Sequence, residues 1–154
     1  LSFVLNSGDK TAIIGEEGNG KSTLLKLIFD ETLVEDYVDY NGEIIRNQMR
    51  IGYLPQELPD EHKCKTVYEY FSEQELFWNY SPRDLSSMAK DFDVEPDFFY
   101  REQEMKSLSG GEKIKAQLMN ILMQNPTALF MDEPSNDIDI STLELLEKII
   151  NGWN

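Results

Sequence analysis

The sequence predicts an α/β fold: a mostly parallel sheet carrying a phosphate-binding loop, with a small antiparallel β part and a helical subdomain added. Three observations predict it. An apolar run, Ala12-Ile13-Ile14, leads into Gly15-Glu16-Glu17-Gly18-Asn19-Gly20-Lys21-Ser22, which fits G-x-x-x-x-G-K-[ST], and Thr23 to Phe29 then reads as a helix. A second apolar run, Ala128-Leu129-Phe130-Met131, ends in Asp132-Glu133. Between them lies an aromatic-rich stretch with helix starts at Thr66 and at Ser81-Pro82.

The elements follow in order. Leu1–Leu5 reads as an edge strand closed by a Ser7-Gly8-Asp9 turn, and Ala12–Ile14 as a buried strand. Tyr37–Tyr40 and Glu43–Arg46 flank Asn41-Gly42, a pair suited to the hairpin turn that matches strand twist. Arg50–Leu54 reads as a strand broken by Pro55. The segment from Thr66 to Tyr100 reads as a broken helical subdomain, with Tyr68, Tyr70, Phe71, Phe77, Trp78 and Tyr80 as its core rather than a stacking surface for bases. Ile114, Leu118, Ile121 and Leu122 recur at helical spacing between Gly111 and Met123, and Leu143, Leu146, Ile149 and Ile150 share one face of a last helix.

The chemistry begins in the glycine-rich loop. Its glycines let backbone N–H groups of residues Gly15 to Thr23 point at phosphate oxygens, and the helix N-terminus adds partial positive charge. Lys21 would reach the β- and γ-phosphates and the Ser22 hydroxyl would hold Mg2+, so a nucleoside triphosphate is the expected ligand. Glu16 and Glu17 place carboxylates beside a polyanion site and are expected to point outward, contributing only their amides. Asp132 at a strand end suits the magnesium shell, and Glu133 suits the polarisation of a water for in-line attack. Ser109-Gly110-Gly111 opening a helix makes a second anion site, best explained by a triphosphate held on another, similar domain.

Composition bounds the rest. With 154 residues the chain reads as one domain, and its net charge of −15 argues against direct nucleic-acid binding through phosphate neutralisation. No apolar run approaches the ~20 residues of a membrane span, and no signal peptide is visible in residues 1–20. Cys64 is the single cysteine, which excludes an internal disulfide and suits a reducing cytoplasm.

Taken together, these motifs resemble the ATP-binding-cassette (ABC) ATPases over nearly the whole chain. In family order they are the phosphate loop Gly15–Ser22, the glutamine loop Tyr53-Leu54-Pro55-Gln56, the signature Leu108–Glu112, the strand ending in Asp132 and Glu133, and the loop Asn136–Asp139. The resemblance implies a P-loop NTPase core of RecA-like type formed by residues 1–56 and 124–154, with a helical subdomain over about 57–123. It also implies ATP and Mg2+ as ligands, Gln56 touching magnesium and the attacking water, and Glu133 as catalytic base. Ser109, Gly110, Gly111 and Glu112 would face the nucleotide of a second cassette in a head-to-tail pair.

Departures from the family are also visible. Asn usually stands where Glu17 is, an aromatic that stacks on adenine usually precedes the first strand, and a histidine strand usually follows the last helix. The one histidine, His62, lies elsewhere. The chain therefore looks like a cassette trimmed at both ends, with weak or no hydrolysis expected of it alone.

Within the family, Glu133-Pro134-Ser135-Asn136-Asp137-Ile138-Asp139 through Leu145-Leu146-Glu147 is most similar to the soluble ABC-F class, whose pattern is E-P-T-N-H-L-D, five residues, then W-L-E. That class implies ribosome association, in translation or antibiotic resistance, through regions outside this stretch. The alternative is the ATP-binding subunit of a membrane transporter. A chromosome-maintenance head fits poorly, because Ser22 to Leu108 holds no sustained heptads.

Overall fold

The fold is described by a computed structural model, which covers residues 2–136 and 138–153. Leu1 of the expected first strand and Asp137 of the loop after Glu133 lie outside the described residues.

Among the described residues two strands form the sheet. β1 (Ile51–Leu54) and β2 (Ala128–Met131) pair in parallel, with Ile51 opposite Ala128 and Leu54 opposite Met131. The Asp132 amide donates to the Leu54 carbonyl at 2.9 Å, extending the ladder past β2. Parallel register brings both strand C-termini to the same edge, so Pro55-Gln56 emerges beside Asp132-Glu133. β1 alternates half-buried and buried residues, as a strand with different neighbours on its two faces must. On one face the Tyr53 ring stacks on Phe29 of α1 (Lys21–Phe29), with centroids 5.1 Å apart. On the other lies α5, described below, so closely that a Cβ on Gly52 would stand 2.3 Å from Ile121 Cγ2.

The middle of the chain is helical, as its start signals predict. A short α2 (Asp60–Lys63) is followed by α3 (Val67–Ser72) and α4 (Pro82–Asp91). Thr66 and Ser81 each close a full capping box, with Glu69 and Asp84 as the reciprocal acids. α5 (Gly110–Met123) is the central helix and α6 (Ile140–Gly152) packs beside it. Phe71, Phe98, Phe99, Met105, Leu118 and Met119 are fully buried between these helices. Phe71 alone meets Phe77, Phe98 and Phe99 at centroid separations of 6.2, 6.5 and 4.7 Å, an edge-and-stack cluster worth more than its area alone. Phe71 and Phe77 are core as expected, whereas Trp78 is exposed.

Four expected strands are not formed among the described residues. Residues 2–5, Ala12–Ile14 and the Tyr37–Arg46 hairpin have no ladder among the described residues, so the small antiparallel part reduces to one bridge between Thr66 and Glu104. The reason is partnership. Ile14 is 93 % exposed, and an apolar run becomes a buried strand only where neighbours cover it. The hairpin segment has Tyr37, Tyr40 and Ile45 exposed, and a lone two-stranded ribbon is marginal in water. Arg46 also draws the segment onto the end of α1, donating to the carbonyls of Ile28 at 2.7 Å and Leu27 at 3.2 Å. Those last-turn carbonyls carry the negative end of the helix dipole, which favours a cation there. No helix among the described residues is long and apolar enough to cross a membrane.

Candidate functional site

The site is built where α1 starts. Gly18 and Gly20 take φ of 81° and 77°, left-handed angles that the glycines adopt without Cβ strain. Gly20 caps α1 without any side-chain hydrogen bond. The first helical bond runs from the Leu24 amide to the Gly20 carbonyl, so the amides of Lys21, Ser22 and Thr23 stay free of the helix ladder. Those residues, with Glu17, Gly18, Gly20, Gln56 and Glu133, line a polar pocket of about 230 Å³. Three free amides and a helix N-terminus suit a multiply charged anion.

The acids at the end of β2 meet this loop directly. Ser22 Oγ donates to Asp132 Oδ1 at 2.8 Å, joining residues 110 positions apart. Asp132 is buried, and its other oxygen accepts from the Tyr53 hydroxyl at 3.2 Å. Burial, then the Asp132 charge beside it, pushes the Tyr53 phenol well above its usual range and keeps it a donor. Lys21 Nζ lies 3.9 Å from Glu133 Oε1 and donates to the carbonyls of Gly15 and Glu16, each at 2.9 Å. Glu133 Oε2 accepts from Gln56 Nε2 at 3.2 Å and from Asn136 Nδ2 at 2.9 Å. Glu133 has φ of 46°, a left-handed backbone angle unusual for a residue with a Cβ.

The expected site residues thus fall into two groups. Glu17, Gly18, Gly20, Lys21, Ser22, Thr23, Gln56 and Glu133 line one pocket, while Asp132 joins it through Ser22, and Gly15 and Glu16 through Lys21. Glu16 is exposed and accepts from Lys21 through its backbone carbonyl, whereas Glu17, expected to point outward, lines the pocket. Ser109, Gly110, Gly111 and Glu112 take no part in that pocket and open α5 instead. There Glu112 accepts from the Ser109 amide at 3.0 Å and pairs with Arg101 at 3.2 Å. Partial burial opposes its ionisation, but the bonds from Ser109 and Arg101 outweigh that and hold its carboxyl below the usual value. Gly111 is packed so tightly that a Cβ would lie 2.5 Å from Thr142 Oγ1 and 2.8 Å from Asp139 Oδ2.

Two contacts at the site are not encoded in any motif spacing, those of Tyr53 and Asn136. Both lie within motifs named from the sequence, and only register and loop geometry reveal their hydroxyl and amide as partners of Asp132 and Glu133. The donors present also suit magnesium. A hydroxyl, a carboxylate and an amide oxygen (Ser22, Asp132, Gln56) are hard oxygen ligands, and their small number leaves room for phosphate and water.

Comparison with known proteins decides the family. The sequence profile of the ABC transporter family matches residues 1–136. The chain belongs to this ATP-binding-cassette family. The cassette is 34 % identical over 152 residues to the ATP-binding protein Uup of Escherichia coli, covering 95 % of this chain and 22 % of that protein. It is 33 % identical over 155 residues to ABC transporter F family member 2 of Arabidopsis thaliana, covering 99 % of this chain and 22 % of that protein. These relatives keep the resemblance to the ABC-F class. The chain therefore spans less than a quarter of the length of either relative. Among solved structures, one described as an inward-facing metal-chelate type ABC transporter superposes with a TM-score of 0.68 at 21 % identity, over 100 % of this chain and 63 % of that one. At that identity the likeness shows the fold.

Proposed function

We propose that this cassette binds ATP with Mg2+ and hydrolyses it as one half of a head-to-tail pair. The observation that carries this is the 2.8 Å bond from Ser22 to Asp132, which ties the anion-binding loop to the acidic end of β2. That contact joins two of the three expected magnesium ligands, and Gln56 and Glu133 line the pocket to which Ser22 belongs. Residues 1–56 and 124–154 act as the ATPase core and about 57–123 as the helical subdomain.

In this reading the amides of the loop and the Lys21 ammonium hold the β- and γ-phosphates. Mg2+, when bound by Ser22, Asp132 and Gln56, neutralises charge on the phosphate oxygens. Gln56 and Asn136 orient the Glu133 carboxylate. A water attacks the γ-phosphorus in line as Glu133 takes its proton, and the β–γ bridging oxygen leaves with the bonding pair, giving ADP and phosphate. Lys21 gives up its loop carbonyls or its Glu133 contact to reach the phosphates. The signature residues Ser109 to Glu112 face a second cassette's nucleotide, and loss of the γ-phosphate lets the pair part.

Glu133→Gln removes the base while keeping the hydrogen bonds from Gln56 and Asn136. In the whole protein, hydrolysis of radiolabelled ATP should fall at least about a hundred-fold, with ATP still bound and the closed pair accumulating. Turnover at the wild-type rate would remove Glu133 from the role of base.

The F-family relative and the Glu133–Asp139 loop support an ABC-F setting, cytoplasmic and ribosome-associated, acting in translation or antibiotic resistance. Ribosome sedimentation with the whole protein tests that setting. Recovery with membranes and a permease partner would instead favour a transporter subunit.

A further inference from the structure

A second recess, sharing no lining residue with the phosphate pocket, lies on the helical subdomain. It is an open groove of about 400 Å³ bordered by Tyr68, Trp78, Tyr80, Tyr100 and Glu102, with Phe77 and Leu85 beneath. Two of its aromatics are left to solvent: Trp78 is 65 % and Tyr100 47 % exposed. They are nevertheless held in place. The Trp78 indole N–H donates to the Ser72 carbonyl at 3.0 Å, and its ring meets Phe77 edge-on at 5.5 Å. Tyr100 stacks on Tyr68 with centroids 6.5 Å apart, and the Tyr80 hydroxyl points to the Met123 carbonyl at 3.4 Å. These rings are fixed on one side by packing and leave their other faces open to a ligand.

Charge says which. Residues 66–104 carry ten carboxylates against three cations, and one of the three, Arg101, is already bound to Glu112. Glu102 is the ionisable group on the groove wall. Aromatic faces present negative π-density, so a cation is favoured over a neutral or anionic group. Among protein cations a guanidinium fits best, because it is planar, weakly hydrated and able to stack on a ring while pairing with a carboxylate. The same subdomain already makes this contact once, with Arg101 Cζ 5.0 Å from the Phe98 centroid. Nucleic acid is a poor occupant, because its phosphates would approach Glu102 on a subdomain rich in carboxylates.

We infer that this groove docks an arginine side chain carried on an apolar segment of a partner protein, the guanidinium lying between Trp78 and Tyr100 and paired with Glu102.

The test is calorimetric titration of the full chain with an acetylated, amidated proline–arginine–leucine peptide and with its citrulline counterpart, which keeps the shape and removes the charge. The arginine peptide should bind roughly tenfold or more tightly than the citrulline one. Glu102→Gln and Trp78→Ala should each erode that preference without shifting the thermal midpoint or the ATP affinity. Equal binding of the two peptides, no heat up to millimolar arginine peptide, or tighter binding of oligothymidylate would overturn the inference. An arginine preference unchanged in both variants would also overturn it, by placing the site elsewhere.

Discussion

Asp132 shows most clearly what a single side chain does here. It is buried and accepts from both Ser22 and Tyr53. Removing either donor leaves part of a buried carboxylate's capacity unmet, which costs about 1–3 kcal/mol. Tyr53→Phe should therefore lower unfolding stability by about that amount in urea titrations, while Phe29 stacking survives because the ring is unchanged. A wild-type midpoint would mean water replaces the hydroxyl freely. Asn136→Ala acts on Glu133 instead. It should lower kcat several-fold with little change in KM, because its amide touches the carboxylate rather than the loop that binds phosphate. Both residues stand inside motifs that were readable beforehand. Their partners were not: the Tyr53 bond to Asp132, across 79 positions, depends on the register of two parallel strands, and the Asn136 bond to Glu133 on the geometry of the loop after β2.

At the scale of elements, local signals fared well wherever the element satisfies itself. α3, α4 and α5 begin at Thr66, Ser81 and Ser109, each with the acid three residues on that closes a capping box. Strands cannot satisfy themselves. β1 and β2 exist because each is the other's partner, whereas Ala12–Ile14 and the Asn41-Gly42 ribbon have equally good local patterns and no ladder. Close packing gives the next prediction. Gly52→Ala drives a methyl onto the Cγ2 of Ile121, a β-branched side chain stiff at χ1, and should destabilise by about 1–3 kcal/mol.

The start of α6 gives a pH dependence. Asp139 accepts from the Thr142 amide at 2.8 Å and from Ser141 Oγ at 2.8 Å. The Thr142 amide first, then the Ser141 hydroxyl, hold its carboxyl down at about 2. The depressed value means its stabilisation is present above the ordinary value of 3.8 and is lost as pH falls toward about 2. Asp139→Ala should accordingly destabilise at neutral pH, and its gap from wild type should close between those two values. A gap independent of pH would refute the charge-assisted cap.

Across the whole molecule, one parallel register explains the site. It sets Gln56 beside Glu133 and Asp132 beside Ser22, so three residues scattered over the chain, Ser22, Gln56 and Glu133, line one pocket with Asp132 behind Ser22. The signature residues stand apart from that wall at the start of α5, as parts meant for a neighbour's nucleotide would. The α/β class and the order of the motifs were legible from the residues, because a glycine-rich loop and a strand ending in two acids carry their chemistry locally. The aromatic groove was not, since nothing in the spacing of Tyr68, Trp78 and Tyr100 distinguishes a ring buried in the core from one held at the surface.

The central claim is that free amides at the start of α1, together with the Lys21 ammonium, grip the phosphates of ATP. Equilibrium titration of the chain with fluorescent ATP and Mg2+, for wild type and Lys21→Ala, tests it most directly. Saturable one-to-one binding in the wild type, weakened by roughly 2–5 kcal/mol in the variant, is the predicted result. Equal affinity in the two proteins, or no binding in the wild type, would contradict it.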